Sequence, residues 1–349
     1  MMTLKETLDM LRPNIAGLKP YSSARNEFPE SDAILLDANE NPYNPRYSML
    51  AVNRYPDPFQ RKAKEKIAGI KGVRPEQIFL GNGSDEAVDL IIRCFCEPST
   101  DSIAIFAPTY GMYEVSANIN NVEVIHVPLT DDFELNIDEI LSHHARCLFV
   151  CSPNNPSGNR LKNVQRLLDE FEGIVVVDEA YIDFGGETAI PLVAEHPNLL
   201  VVQTMSKSRA LAGLRVGYAI GDAALIQGLT RVKDSFNSYP LGRTAQAGAI
   251  ASVEDDDYFQ ASCAAFWVVA SGAARKASIA LSRSFALASE SEYIASARSP
   301  YVLTTSLTAG ASAKAGRATV PTNASPVAQA IAIANFDIVP SPSCFWVWR

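Results

Sequence analysis

TMSKSRALAGLRVGY (204–218) decides how this chain is read. It leaves an apolar strand-like run, LLVVQT (199–204), and enters a second one, RVGYAI (215–220), through a turn of small and hydroxyl residues. Lys207 stands in that turn. Ser206 beside it can bond a phosphate, and the Ala/Gly run lets backbone come close to a ligand. Arg215 is placed to return to the same pocket. An amine that is to bond a carbonyl carbon must be available neutral, which calls for neighbouring cations or a dry site. Taken alone, such a lysine also reads as a solvated loop residue.

Working outward, strand-like runs alternate with amphipathic helices from about Tyr55 to Ser252. The strands read as QIFL (77–80), SIAIF (102–106), VEVIHV (122–127), RCLFVC (146–151) and GIVVVD (173–178), followed by the two already quoted. SDEAVDLIIRCF (84–95) and NVQRLLDEFE (163–172) read as helices, with Ser84 the expected N-cap of the first and acids in its first turn. This alternation predicts an α/β fold, a mostly parallel sheet covered by helices on both faces.

Four further stretches follow strands. VVVDEAYIDF (175–184) ends a buried strand on Asp178, and a carboxylate at the carboxyl end of a strand lies where ligands bind. It would suit pairing with a ring nitrogen, and equally an N-cap or a surface ion pair. FLGNGSDEAVDL (79–90) sets Gly81 and Gly83 before a helix N-terminus, whose free N–H groups attract phosphate. It fits neither the dinucleotide nor the Walker pattern, and the missing G-x-G-x-x-G excludes a Rossmann dehydrogenase. CSPNNPSGNR (151–160) reads as a rigid turn offering an amide, or as a plain turn. In FAPTYGMYEVSA (106–117), Tyr110 is expected to open a helix and could stack on a flat ligand, or serve as a core aromatic.

The 349 residues suffice for two domains, and the net charge of −9 argues against nucleic-acid or anionic-membrane partners. The N-terminus is not a secretory signal, and the apolar run near Phe266 to Ala274 is too short to span a bilayer. The six cysteines lack zinc-type spacing, so no metal is expected. Cys94, Cys96, Cys147 and Cys151 sit in apolar runs and fit reduced core thiols in a cytoplasm. From Gln260 onward alanine and serine dominate, and only Glu290, Glu292 and Asp337 are acidic. That break reads either as a small domain of alanine-rich helices or as a segment displaced by a reading-frame error.

The motifs, in this order and spacing, resemble fold-type I pyridoxal-5′-phosphate (PLP) enzymes of the class II aminotransferases. LKPYSSAR (18–25), LDANENPYNP (36–45) and NRYPDP (53–58), together with the blocks above, resemble the histidinol-phosphate aminotransferase family. The resemblance runs from about residue 10 to 255. It implies the PLP-dependent transferase fold, a large domain plus a smaller α+β domain. The arm and part of the small domain would fill 1–45, the large PLP-binding domain 46–255, and the small domain the atypical 256–349. It implies that Lys207 carries PLP and moves the substrate's proton, and that Asp178 pairs with the pyridine nitrogen. Tyr181 and Asn155 would bond the 3′ oxygen, and Tyr110 would stack on the ring. Backbone at Ser84, Asp85 and Glu86, with Ser206, Arg215 and the partner subunit's Tyr55, would hold the phosphate. Tyr21, Asn41 and Asn155 would meet the substrate, a small amino donor or acceptor such as histidinol phosphate, glutamate or 2-oxoglutarate. A site shared in this way implies a homodimer.

The family's small-domain arginines find no R-h-x-h-G counterpart after residue 260; Arg298, Arg317 and Arg349 are the available ones. Aromatic amino-acid aminotransferases and threonine-phosphate decarboxylases share nearly all these blocks. An inactive PLP-fold binding or regulatory protein is the alternative from another class, and intact Lys207, Asp178 and Arg215 argue against it.

Overall fold

Strands apolar at every position need cover on both faces, and the computed structural model supplies it. It describes residues 2–20, 38–46 and 52–270. In chain order come α1 (Leu4–Asp9), α2 (Pro13–Ala16), α3 (Arg61–Lys71), β1 (Ile78–Asn82), α4 (Ser84–Phe95), β2 (Ser102–Ala107) and α5 (Met112–Ile119). Next come β3 (Glu123–Pro128), α6 (Ile137–Leu141), β4 (Cys147–Cys151), α7 (Val164–Glu170), β5 (Ile174–Asp178) and β6 (Leu199–Thr204). β7 (Val216–Gly221), α8 (Ala223–Phe236), α9 (Arg243–Glu254) and α10 (Asp256–Ala270) follow. The chain divides into a compact unit, Met1–Gln260, and a second, Ala261–Arg349. Tyr21, Arg298, Arg317, Arg349 and the atypical stretch after residue 270 lie outside the described residues.

The seven strands form one sheet in the order β1-β7-β6-β5-β4-β2-β3. β3, β2, β4, β5 and β6 run parallel, and β7 is antiparallel to both β6 and β1. β1 therefore points the same way as β6. The carboxyl ends of β1, β2, β4, β5 and β6 and the start of β7 share one edge of the sheet. Every motif that follows a strand is delivered to that edge, and so is Arg215, which precedes β7. Ligands in open α/β sheets bind there.

Side chains alternate between faces along a strand, and the core divides accordingly. In β4, Cys147, Phe149 and Cys151 enter the cluster that holds Ile91, Tyr113 and Val202, whereas Leu148 and Val150 enter the one that holds Leu80, Val201 and Tyr218. In β5, Ile174 and Val176 join the first cluster and Val175 and Val177 the second. The parity carries Asp178 to the side of Phe149 and Tyr113, and its neighbour Glu179 to the other.

Two local expectations need correction. Ser84 is the first helical residue of α4 rather than its N-cap; Gly83 occupies the cap and no side chain closes it. A serine cap would have consumed N–H groups that the turn here leaves open. Tyr110 does not open a helix but lies in the turn ahead of α5, whose cap is Gly111. The turn keeps its phenol at the sheet edge.

Candidate active site

Gly83 and Gly217 make the floor of the site. Gly83 has φ +81°, and a Cβ there would come within 2.5 Å of Arg215 Nη2. A Cβ on Gly217 would stand 2.1 Å from the Ser84 backbone nitrogen. The start of β7 thus lies directly against the uncapped N-terminus of α4, at a distance only glycine permits. The N–H groups of that first turn, with the positive end of the helix dipole, form a cradle for an anion. Arg215 itself holds a left-handed backbone, φ +53°, which bends the chain back toward the cradle. Strain of this kind is kept where geometry serves a site.

Around the cradle the side chains interlock. Arg215 Nη1 donates to Ser206 Oγ at 3.5 Å, and its Nη2 lies 3.4 Å from Asp85 Oδ2. Tyr110 donates its hydroxyl to Asp85 Oδ1 at 3.1 Å. Burial and the adjacent Asp85 carboxylate push the Tyr110 phenol up to about 12, so it remains a donor at neutral pH. Glu86 turns back to accept from the Asn82 N–H at 2.5 Å.

Lys207 extends from the β6–β7 turn with its Nζ 5.4 Å from the centroid of the Tyr181 ring. Of the two settings that would free this amine, neighbouring cations or a dry site, the structure does not show the second, because Lys207 is exposed. Its turn is nonetheless held firmly. Ser208 Oγ donates to Asp183 Oδ2 at 2.5 Å, Thr204 Oγ1 donates to Ser206 Oγ at 3.0 Å, and Arg209 lies 3.8 Å over the Phe259 ring. The Ser208–Asp183 bond ties the lysine's turn to the one that carries Tyr181.

Asp178 is 3% exposed. Its Oδ2 accepts from the Tyr113 hydroxyl at 2.6 Å and its Oδ1 from the Ala180 N–H at 3.0 Å. Burial holds its carboxyl above the ordinary carboxylate range, and those two donors and the Lys207 charge oppose the rise. Tyr113 was not singled out from the sequence. Its signal was its position three residues after Tyr110, which sets the two rings edge to face at 5.6 Å.

Asn155 is half-buried beside Asn154. Asn154 joins this turn to the one after β2, through Thr109 Oγ1 at 3.0 Å and the Pro108 carbonyl at 3.0 Å. Tyr55 is exposed, with its ring 4.7 Å from that of Tyr239. Asn41 is exposed too, and its Oδ1 accepts from the Tyr43 N–H at 2.9 Å.

The family described as aminotransferase class I and II matches residues 22–289 of this chain. The chain belongs to that family. The histidinol-phosphate aminotransferase of Cytophaga hutchinsonii is 48% identical over 254 residues, which cover 71% of this chain and 73% of that protein. At this likeness the chain stands within the histidinol-phosphate aminotransferases. The solved histidinol-phosphate aminotransferase of Clostridium acetobutylicum superposes with a TM-score of 0.55 at 25% identity, over 62% of this chain and 65% of that one. An L-threonine-O-3-phosphate decarboxylase from Porphyromonas gingivalis gives 0.53 at 23%, over 60% and 66%. The two scores are nearly equal, so the fold is shared between reactions and does not choose between them.

Pyridoxal 5′-phosphate is the cofactor of the family, and the site has the features it needs. A glycine-floored cradle with Arg215 and Ser206 answers the phosphate, a buried carboxylate answers the ring nitrogen, and a lysine stands beside an aromatic ring.

Proposed function

We propose that this aminotransferase moves an amino group between glutamate/2-oxoglutarate and the histidinol-phosphate pair of histidine biosynthesis. The observation that supports the substrate most is the 48% identity to a histidinol-phosphate aminotransferase across nearly three quarters of that protein.

When bound, PLP supplies an aldehyde that takes up amines and a ring that withdraws electrons from the adjacent carbon. The residues at the sheet edge divide the remaining work. Lys207 would be the residue that holds the cofactor, and its amine would move the proton at the substrate's Cα. The first turn of α4 at Ser84, Asp85 and Glu86 would hold the phosphate by backbone N–H groups, with Ser206 and Arg215 adding side-chain donors. Asp178 would pair with the ring nitrogen, Tyr181 and Asn155 would bond the 3′ oxygen, and Tyr110 would stack on the ring.

A homodimer completes the site in this reading, with the exposed Tyr55 reaching the partner's phosphate group. Tyr21 and Asn41 would contact the substrate, as the family's pattern implies. In this reading residues 1–45 supply the arm and part of the small domain, 46–255 the large PLP-binding domain and 256–349 the small domain, and the enzyme works in the cytoplasm. No helix among the described residues is long and apolar enough to cross a membrane.

Separate half-reactions test the substrate. Loaded with PLP, the protein should lose the absorbance of the lysine-bound cofactor fastest with L-histidinol phosphate. A faster response to L-phenylalanine, or carbon dioxide released from L-threonine phosphate, would replace this reading with one of the sister activities.

A further inference from the structure

Tyr113 is a fully buried phenol within an apolar cluster. Its ring packs like any core aromatic, stacked on Phe149 at 5.1 Å and 25° and meeting Tyr110 edge-on at 84°. Phenylalanine would fill that space equally well. The hydroxyl therefore needs its own account, because a buried polar group costs stability unless it is paired.

Its partner is Asp178 Oδ2, at 2.6 Å, a short charge-assisted bond. The Ala180 N–H occupies the other oxygen at 3.0 Å. Two donors, one per oxygen and from different elements, fix the carboxylate plane against rotation. Each oxygen keeps a further acceptor position. Cys151 also lies against this pair, but a thiol is a weak donor. Tyr113 thus supplies the one strong side-chain donor recorded on Asp178 among the described residues.

We infer that Tyr113 is a positioning residue for the reaction, whose hydroxyl sets the orientation in which Asp178 meets the ring nitrogen. The inference rests on the assignment of Asp178 in the proposed function. Tyr113 acts through Asp178 and not on the cofactor directly. Removing its hydroxyl should weaken PLP binding and slow the chemistry, with little effect on capture of the amino donor.

The Tyr113→Phe variant removes one oxygen and keeps every ring contact. PLP affinity is measured by equilibrium dialysis, and kcat and KM with L-histidinol phosphate follow. The expected result is PLP binding weaker by about 10-fold, the size of one charge-assisted hydrogen bond. A fall in kcat of about 10-fold should accompany it, with KM within about 3-fold. In an Asp178→Asn background the same substitution should add nothing further, because its route runs through the carboxylate. Parent-like affinity and kcat in Tyr113→Phe, with the parent loading PLP normally, would overturn the inference alone. A full additional loss in the Asp178→Asn background would overturn it as well, by showing that the hydroxyl acts elsewhere. A parent protein that takes up no PLP would overturn the proposed function, and this inference with it.

Discussion

Asp178 and Glu179 are consecutive, both are carboxylates, and both are buried, at 3% and 2% exposure. The sheet sends them to opposite faces. Glu179 meets three donors, the Thr188 hydroxyl at 2.7 Å, the Ala189 N–H at 2.5 Å and the Gln203 amide at 2.6 Å. Gln203 in turn accepts from the Tyr218 hydroxyl at 2.7 Å. Asp178 meets two donors at the edge where Lys207, Arg215 and Tyr110 gather. Burial raises both carboxyls above their usual range. What separates them is satisfaction. The closed network behind the sheet holds the fold together, and the open one at its edge keeps acceptor capacity for a ligand.

Substitutions on the two sides should therefore fail in different ways. The largest effect is expected from Asp178→Asn, a loss of kcat on the order of 10²-fold or more, since a charge opposite a cationic ring is a transition-state term. The fold should survive, because an amide can pair with both Ala180 and Tyr113. In the cofactor-free protein its Tm should equal or exceed the parent's. With a folded pKa above the unfolded one, the parent's Asp178 favours folding at acid pH and loses that contribution as pH rises through the folded value. The variant's advantage in Tm should consequently grow from acid toward neutral pH, and a shrinking one would contradict the burial argument.

Glu179→Gln should behave in the opposite sense. An amide nitrogen set among three donors leaves at least one buried donor unpaired, at a cost of about 2 kcal/mol and a Tm lowered by about 5 °C. Turnover per folded molecule should stay within about 3-fold of the parent, because no reacting group is touched. A Glu179→Gln enzyme that keeps its Tm and loses turnover would erase the distinction between the two faces. Tyr218→Phe sharpens it at the lower end: with one acceptor of Gln203 orphaned, the expected cost is about 1 kcal/mol with unchanged kinetics.

The same contrast explains what could be read from the sequence. The residues of the site at strand ends were legible, because Asp178 closes a strand and Asn155, Ser206 and Lys207 follow one within a few residues, a local feature of the chain. The strand limits shifted by no more than a residue or two, as at β1, expected over 77–80 and found at Ile78–Asn82. Ser84 was misread because serine before a helix ordinarily caps it, and here Gly83 leaves the turn open for a ligand. The bond of Tyr113 to Asp178 and the Glu179 network were not legible. Their partners come from separate elements, and only the parity of β5 against β4 and β6 determines which side chains meet. The family's substrate-clamping arginines find no counterpart after residue 260, and the available Arg298, Arg317 and Arg349 lie outside the described residues, so the substrate rests on likeness and the cofactor site on geometry.

The central claim is that Lys207 carries the cofactor, and one measurement bears on it directly. PLP-loaded protein is reduced with borohydride, digested, and its peptides are mapped for the pyridoxyl label. Lys64 is the informative competitor, since burial and then the neighbouring Lys233 charge pull its amine down to about 8 and make it reactive near neutrality. The account predicts the label on Lys207 alone, in the peptide that contains TMSKSR. A label on Lys64, or on any lysine outside that turn, would contradict it.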